Sequence, residues 1–338
     1  MMSYINKNNL MPERSRLFCP IERTNEEMYF SLVDYRNNYF TSSNPDKIIE
    51  FFNGFDNREQ LIQWMRERPK GVANVHEVEG DKDIIVVIPT ADFKGEYARE
   101  CMENVFKGLH IVFVESGGRE DFYFNYAHNC NMGIKKAMEY NPKWVVVSND
   151  DVYKIDDVSV LSANLQKLDN NLAHLIFTEP PGEFHSLVES IGITRTIRNL
   201  VLIIRKNNRA KLSVEKKMKI KIITWREWYK YLHNIFYKRL VSFPITLAFS
   251  ILSGEFVRSC NGYIFDEVYV NGFEDVDLSF NVGKLKQKSK WIKFKLGDYV
   301  ASTLGTGEFR VLRDICNRAY FESKYSNELS LLSKKRGV

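Results

Sequence analysis

The sequence predicts an α/β fold, a mostly parallel sheet flanked by helices, on three observations. Apolar, largely β-branched runs recur at Ile84-Ile85-Val86-Val87-Ile88, Ile111-Val112-Phe113-Val114 and Trp144-Val145-Val146-Val147, as in strands buried on both faces. Helical patterns lie between them, through Tyr97, Cys101 and Val105 in one gap and Asn131, Gly133, Ile134 and Ala137 in the next. Strand–helix alternation at this spacing builds a doubly wound parallel sheet. Thirdly, the runs end in polar or glycine-bearing turns: Pro89-Thr90, Glu115-Ser116-Gly117-Gly118 and Asn149-Asp150-Asp151. Ligands of open α/β sheets collect at such carboxyl ends.

Composition bounds the rest. With 338 residues, 44% hydrophobic and 27% charged, the chain has ample material for a core and the balance of a soluble protein. Its five cysteines (Cys19, Cys101, Cys130, Cys260, Cys316) are odd in number and form no CxxC pair, which argues against a disulfide framework or zinc site and for a reducing compartment. The first residues lack the apolar stretch of a signal peptide, and the run around Leu240–Leu252 is broken by Ser242, Pro244 and Ser250, too short to span a bilayer. A cytoplasmic protein is expected. The net charge of +5 conceals an uneven spread. Residues 205–239 carry twelve Lys/Arg against two acids, so the remainder is near −5.

Residues 1–80 read as an N-terminal extension of helices that packs on the main domain. Ser43-Asn44-Pro45 starts one helix (Ile48, Ile49, Phe51, Phe52), stopped at Asn53-Gly54, since Asn caps and Pro suits the first turn. Asn57 caps a second (Leu61, Ile62, Trp64, Met65), ended by Pro69-Lys70-Gly71. The sheet domain spans 81–325, interrupted by a basic amphipathic insertion at 205–243, and 326–338 form a tail. In the insertion, Ile222, Trp225, Trp228, Tyr229, Leu232, Ile235 and Phe236 recur at roughly helical spacing, with Arg226, Lys230 and Lys238 mostly off that stripe. Such a helix either docks on an anionic membrane or packs on its own domain with a solvated basic face. From Phe309 a further basic helix is expected.

Two acidic motifs carry the chemistry. Asn149-Asp150-Asp151 stops the third strand abruptly, and paired carboxylates there suit a hard divalent cation; as an isolated motif it reads equally as a capped turn. Far downstream, Phe265-Asp266-Glu267 precedes Gly272-Phe273-Glu274-Asp275-Val276-Asp277-Leu278. Glu274, Asp275 and Asp277 are expected to open a helix, whose positive end favours acids. No GxGxxG or GxxxxGK[ST] is present, which removes the dinucleotide and P-loop readings.

In the order Ile-Pro-Thr, an acid-then-Gly turn, Asn131-x-Gly133-Ile134, a strand ending in acids, Phe-Asp-Glu and Glu-Asp-x-Asp-Leu-Ser, the chain from Ile84 to about Tyr325 resembles the family 2 glycosyltransferases. The resemblance implies a GT-A fold, Rossmann-like, and an inverting hexosyl- or deoxyhexosyl-transferase acting in glycan, polysaccharide or glycolipid synthesis. It implies donor contacts at Pro89, Thr90, Glu115, Asn131, Asn149 and Asp150, Asp151 as ligand to Mn²⁺ or Mg²⁺ at the DxD-type position, Asp275 as catalytic base, and Glu274 and Asp277 on the acceptor side. Three positions depart from the family pattern: Asn149 opens the metal motif, Glu115 stands where Asp is usual, and Ser302 stands where many members have His. The implied partners are a nucleotide-sugar donor, a glycan or lipid-linked acceptor and an anionic membrane surface met through 205–243, with no nucleic acid; the implied location is cytoplasmic or peripheral on the membrane's cytoplasmic face. A nucleotidyltransferase and a catalytically weak, glycan- or partner-binding member are the alternatives.

Overall fold

The computed structural model describes residues 35–117, 122–171, 174–178, 184–189, 208–226, 241–244, 249–284, 289–299 and 308–329. It is a mixed α/β structure around a seven-stranded, largely parallel sheet. The strands are β1 (Asn74–Val78), β2 (Asp81–Thr90), β3 (Leu109–Glu115), β4 (Trp144–Ser148), β6 (Leu175–Thr178), β10 (Phe249–Ser253) and β11 (Ser289–Ile292), in the order β1-β3-β2-β4-β10-β6-β11. β2, β3, β4, β6 and β11 share one direction, while β1 and β10 oppose it. β1 lies within the range read as the N-terminal extension, yet it is an edge strand of this sheet.

The central strands are apolar throughout because both faces are covered. Ile84, Val86, Ile88, Ile111, Phe113, Trp144 and Val146 face one core, beneath α3 (Glu96–Glu100, continued by a π-helical turn, Cys101–Val105) and α5 (Val158–Leu165). Ile85, Val87, Val112, Val114, Val145 and Val147 face the other, beneath α4 (Tyr126–Met138) and α7 (Gly254–Ser259). This is the period-two alternation of a strand. Gly133 is required here: a methyl on it would collide with Val87 and Val114, so its absence sets how closely α4 lies on the sheet.

A third core is helical. α1 (Pro45–Asn53) and α2 (Arg58–Glu67) pack with α6 (Asn208–Lys217), α8 (Glu274–Lys284) and α9 (Glu308–Lys324). The side chains of Asn44 and Asn57 cap α1 and α2 as expected, accepting from the Asp46 and Gln60 N–H groups at 2.9 and 3.0 Å. Arg313 of α9 donates to the carbonyls of Phe40 and Ser42 at 2.8 and 2.7 Å, and the buried Arg318–Glu215 pair, at 2.7 Å, joins α9 to α6. α8 is bedded between two cores, with Leu278 and Val282 turned to the sheet and Val276 and Phe280 to the helical layer.

The helical reading of the insertion is corrected at its start. Ile222–Arg226 form strand β8, paired antiparallel with β7 (Phe184–Glu189), which also pairs with β9 (Val241–Pro244). Two isoleucines, a threonine and a tryptophan in a row favour a strand, and a helical stripe beginning with such residues is equally a strand pattern. Residues 227–240, with the rest of that stripe, lie outside the described residues, as does Ser302. Among the described residues no helix is long and apolar enough to cross a membrane.

Candidate active site

β2, β3 and β4 are adjacent and parallel, so their carboxyl ends fall side by side; Thr90 pairs with Glu115 in register. Thr90 donates its hydroxyl to Asp150 Oδ2 at 2.7 Å. Glu115 accepts the Phe93 N–H at 2.9 Å and pairs with His76 Nε2 at 2.9 Å; the His76 ring stacks on Phe93. These bonds hold the Glu115 carboxyl below its usual range, the Phe93 N–H foremost. Both its oxygens are therefore occupied in shaping the loop after β2. Pro89, Thr90, Glu115 and Asn149–Asp151 are thus brought together.

Asp151 is buried, and its Oδ1 has no hydrogen-bond partner. Burial, then the charges of Asp298 and Asp150, push its carboxyl up to about 6. Asp298 ends β12 (Leu296–Asp298), which pairs with β5 (Val152–Lys154), the short strand that continues directly from Asp151. Burial likewise raises Asp150. An orphaned buried carboxylate oxygen beside two further acids fits a hard cation, which would relieve both the burial cost and the repulsion. Among the described residues, no group of three or more His, Cys, Asp or Glu side chains could by itself hold a metal ion.

The second motif does open a helix, α8, with Glu274, Asp275 and Asp277 in its first turn. The turn before it is unusual: Asn271 and Phe273 have φ of 50° and 73°, and a bulky residue in this region costs on the order of 1–3 kcal/mol. Asn271 is held by bonds with the Tyr126 N–H and the Phe124 carbonyl at 2.8 and 3.1 Å. The three acids then differ. Asp277 is buried and saturated: Tyr269 and Tyr325 donate to Oδ1 at 3.0 and 2.7 Å, and Lys324 and Asn281 to Oδ2 at 3.0 and 3.2 Å. Glu274 is 8% exposed with its Oε2 unpartnered. Burial, then the charge of Asp275, push its carboxyl up to about 8. Asp275 is the least buried of the three.

Tyr126 links the two motifs. Its hydroxyl donates to Asn149 Oδ1 at 3.0 Å, and burial, then the charges of Cys130, Glu274 and Asp275, raise its phenol far above the usual range. Asn131, by contrast, is not among the strand ends. It donates to the Phe265 carbonyl and Glu267 Oε1 at 2.8 and 3.0 Å and accepts from the Ile264 and Phe265 N–H groups at 3.1 and 3.0 Å. These bonds fix the loop that leads to the second motif. Neither protein-family models nor curated proteins yield a match to this chain.

Residues without a motif complete the site. Tyr126 and Asp298 stand alone in the sequence, with no spacing to mark them. Asp314 and Arg310 of α9 face the start of α8: Arg310 draws the Glu274 and Asp314 carboxyls downward, against a burial that brings Asp314 up to about 6. Only the basic helical pattern after Phe309 hinted at this support.

Glu274 makes stability depend on pH. Its folded carboxyl is raised from 4.5 to about 8, so the folded state binds the extra proton and stability falls as pH rises through that window. Glu274→Gln should remove this slope and raise Tm at pH 8 by about 1–2 °C per kcal/mol relieved, with little change at pH 5. Parallel melting curves of the two proteins between pH 5 and 9 would refute the assignment.

Proposed function

We propose that the protein is an inverting glycosyltransferase of GT-A type, moving a sugar from a nucleotide donor to an acceptor hydroxyl. The supporting observation is Tyr126, whose hydroxyl bonds to Asn149 at the end of β4 while its N–H bonds to Asn271 in the turn before α8. One residue thereby ties the strand ends, which suit a nucleotide, to the acid helix, which suits an acceptor. Asp151, with Asp150 beside it, would hold Mn²⁺ or Mg²⁺, which when bound supplies charge stabilisation to the departing diphosphate.

The chain's own residues supply the remaining steps. Asp275 takes the acceptor hydroxyl proton as the acceptor oxygen bonds to the anomeric carbon from the face opposite the diphosphate. The bond from that carbon to the diphosphate oxygen breaks with its electron pair leaving on the diphosphate, and the configuration inverts. Glu274, protonated at neutral pH, presents a hydrogen-bond donor next to it. Asp277, fully bonded, is assigned to holding α8 rather than to touching the acceptor.

Thermal melts with nucleoside diphosphates and Mn²⁺ or Mg²⁺ test this reading. A ligand at a hundred times its Kd stabilises by about 2.7 kcal/mol, and one metal-dependent pair should do so. Asp151→Ala should abolish the metal-dependent part in calorimetry. Undiminished metal-dependent binding by that variant would remove Asp151 as the ligand, and no stabilisation of the wild-type protein by any pair would remove the proposed activity.

A further inference from the structure

The side-chain amide of Asn149 lies between two groups that decide which way it faces. On one side, the Tyr126 hydroxyl donates to its Oδ1 at 3.0 Å. On the other, its side chain bonds to the Asp151 carboxylate and draws it downward, against the burial and the acids that raise it. An ionised carboxylate only accepts hydrogen bonds. The amide therefore turns its N–H group to Asp151 and its oxygen to the phenol.

Tyr126 is held where it can fix that choice. It is the first residue of α4, and its N–H donates to Asn271 Oδ1 at 2.8 Å. The preceding Asn125 accepts the His128 N–H at 2.8 Å and donates to the carbonyls of Glu267 and Tyr269 at 2.9 and 3.1 Å. The backbone that carries the ring is thus tied to α4 and to the loop before α8. Burial raises the phenol far above its usual range, so the hydroxyl keeps the proton it donates. The buried Cys130 thiol also adjoins this hydroxyl, but sulfur is the weaker acceptor, and the proton stays with the amide oxygen.

This orientation decides what the strand ends offer a cation. Asp150 Oδ2 already accepts from Thr90 at 2.7 Å, and Asp151 Oδ1 is left without a partner. A hard ion gains affinity with each charged oxygen ligand. Asn149 brings an N–H group instead, which repels a cation and suits an anionic oxygen. Turned over, the same amide would offer its carbonyl oxygen, a ligand that hard cations accept.

We propose that Tyr126 is a positioning residue that keeps the Asn149 oxygen turned away from the ion position beside Asp151, so the site binds a free divalent cation weakly. The proposal rests on the cation placed at Asp151 and deepens that reading. Mn²⁺ titration of the full chain without nucleotide, carried into the millimolar range and read by calorimetry, tests it. Asn149→Asp should tighten Mn²⁺ binding by about tenfold or more, since ligand charge tunes such sites. Tyr126→Phe keeps the ring and backbone N–H but frees the amide to turn, and should tighten binding by about threefold or more. In an Asn149→Ala background the same substitution should change nothing, because its effect passes through the amide. Three results overturn the role: Asn149→Asp binds no tighter; Tyr126→Phe binds as the wild type does or more weakly; or Tyr126→Phe tightens binding equally without the amide. The expected pattern in a protein that no nucleoside diphosphate stabilises would keep the positioning role and dismiss the transferase.

Discussion

Asp275→Asn should lower sugar transfer by about 10²–10⁴-fold, the usual contribution of a positioned general base. The amide keeps the size of the carboxylate and can no longer take the acceptor proton. Asp275 is the least buried acid of the α8 start, and its side chain accepts a local bond from the Val276 N–H at 2.8 Å. Donor binding and Tm should therefore hold close to wild-type values. The measurement is release of nucleoside diphosphate together with formation of glycosylated acceptor at saturating donor. More than about a tenth of the wild-type rate in the variant would exclude Asp275 as the base.

Asp277→Ala should act on the fold. It removes a buried carboxylate that receives two phenol hydroxyls, an ammonium and an amide. Removing one partner of a buried charged pair costs about 3–5 kcal/mol. Here the lower figure applies, because Lys324 retains Asp266 at 2.7 Å. Equilibrium unfolding in urea should show the loss as a lower midpoint with an unchanged slope. Wild-type stability with impaired acceptor binding would instead return Asp277 to the acceptor side.

The parts of this fold legible in the sequence are those that burial writes into a pattern. β2, β3 and β4 are buried on both faces, so their runs stand out as unbroken apolar segments, and Asn44 and Asn57 announce α1 and α2 because a cap has a fixed place relative to its helix. The acidic start of α8 was legible for the same reason. Strand direction was not: nothing in Phe249–Ser253 tells that β10 runs against its neighbours, and a parallel partner would need the same residues. Ile222–Arg226 misled because a short apolar run satisfies both periods. The site divided likewise. Acids in a motif were visible; Tyr126, Asp298, Arg310 and Asp314 were not, since folding alone brings each to the acids it influences. Asn131 was seen, but a residue type does not reveal which loop its amide will bind.

The helical layer has a bearing on when the molecule becomes whole. It joins α1 and α2, early in the chain, to α9, and the bonds that lock Asp277 come from Lys324 and Tyr325, 47 and 48 residues further on. Contacts of this span form late, because the closure of a long loop precedes any gain from it. During synthesis the strands and α4 can associate while α8 still lacks its outer support, the turn at Phe273 being held only from the α4 side through Asn271. The nascent chain would thus carry a nearly finished sheet with an unset acid helix, and maturation would coincide with the arrival of its last long helix.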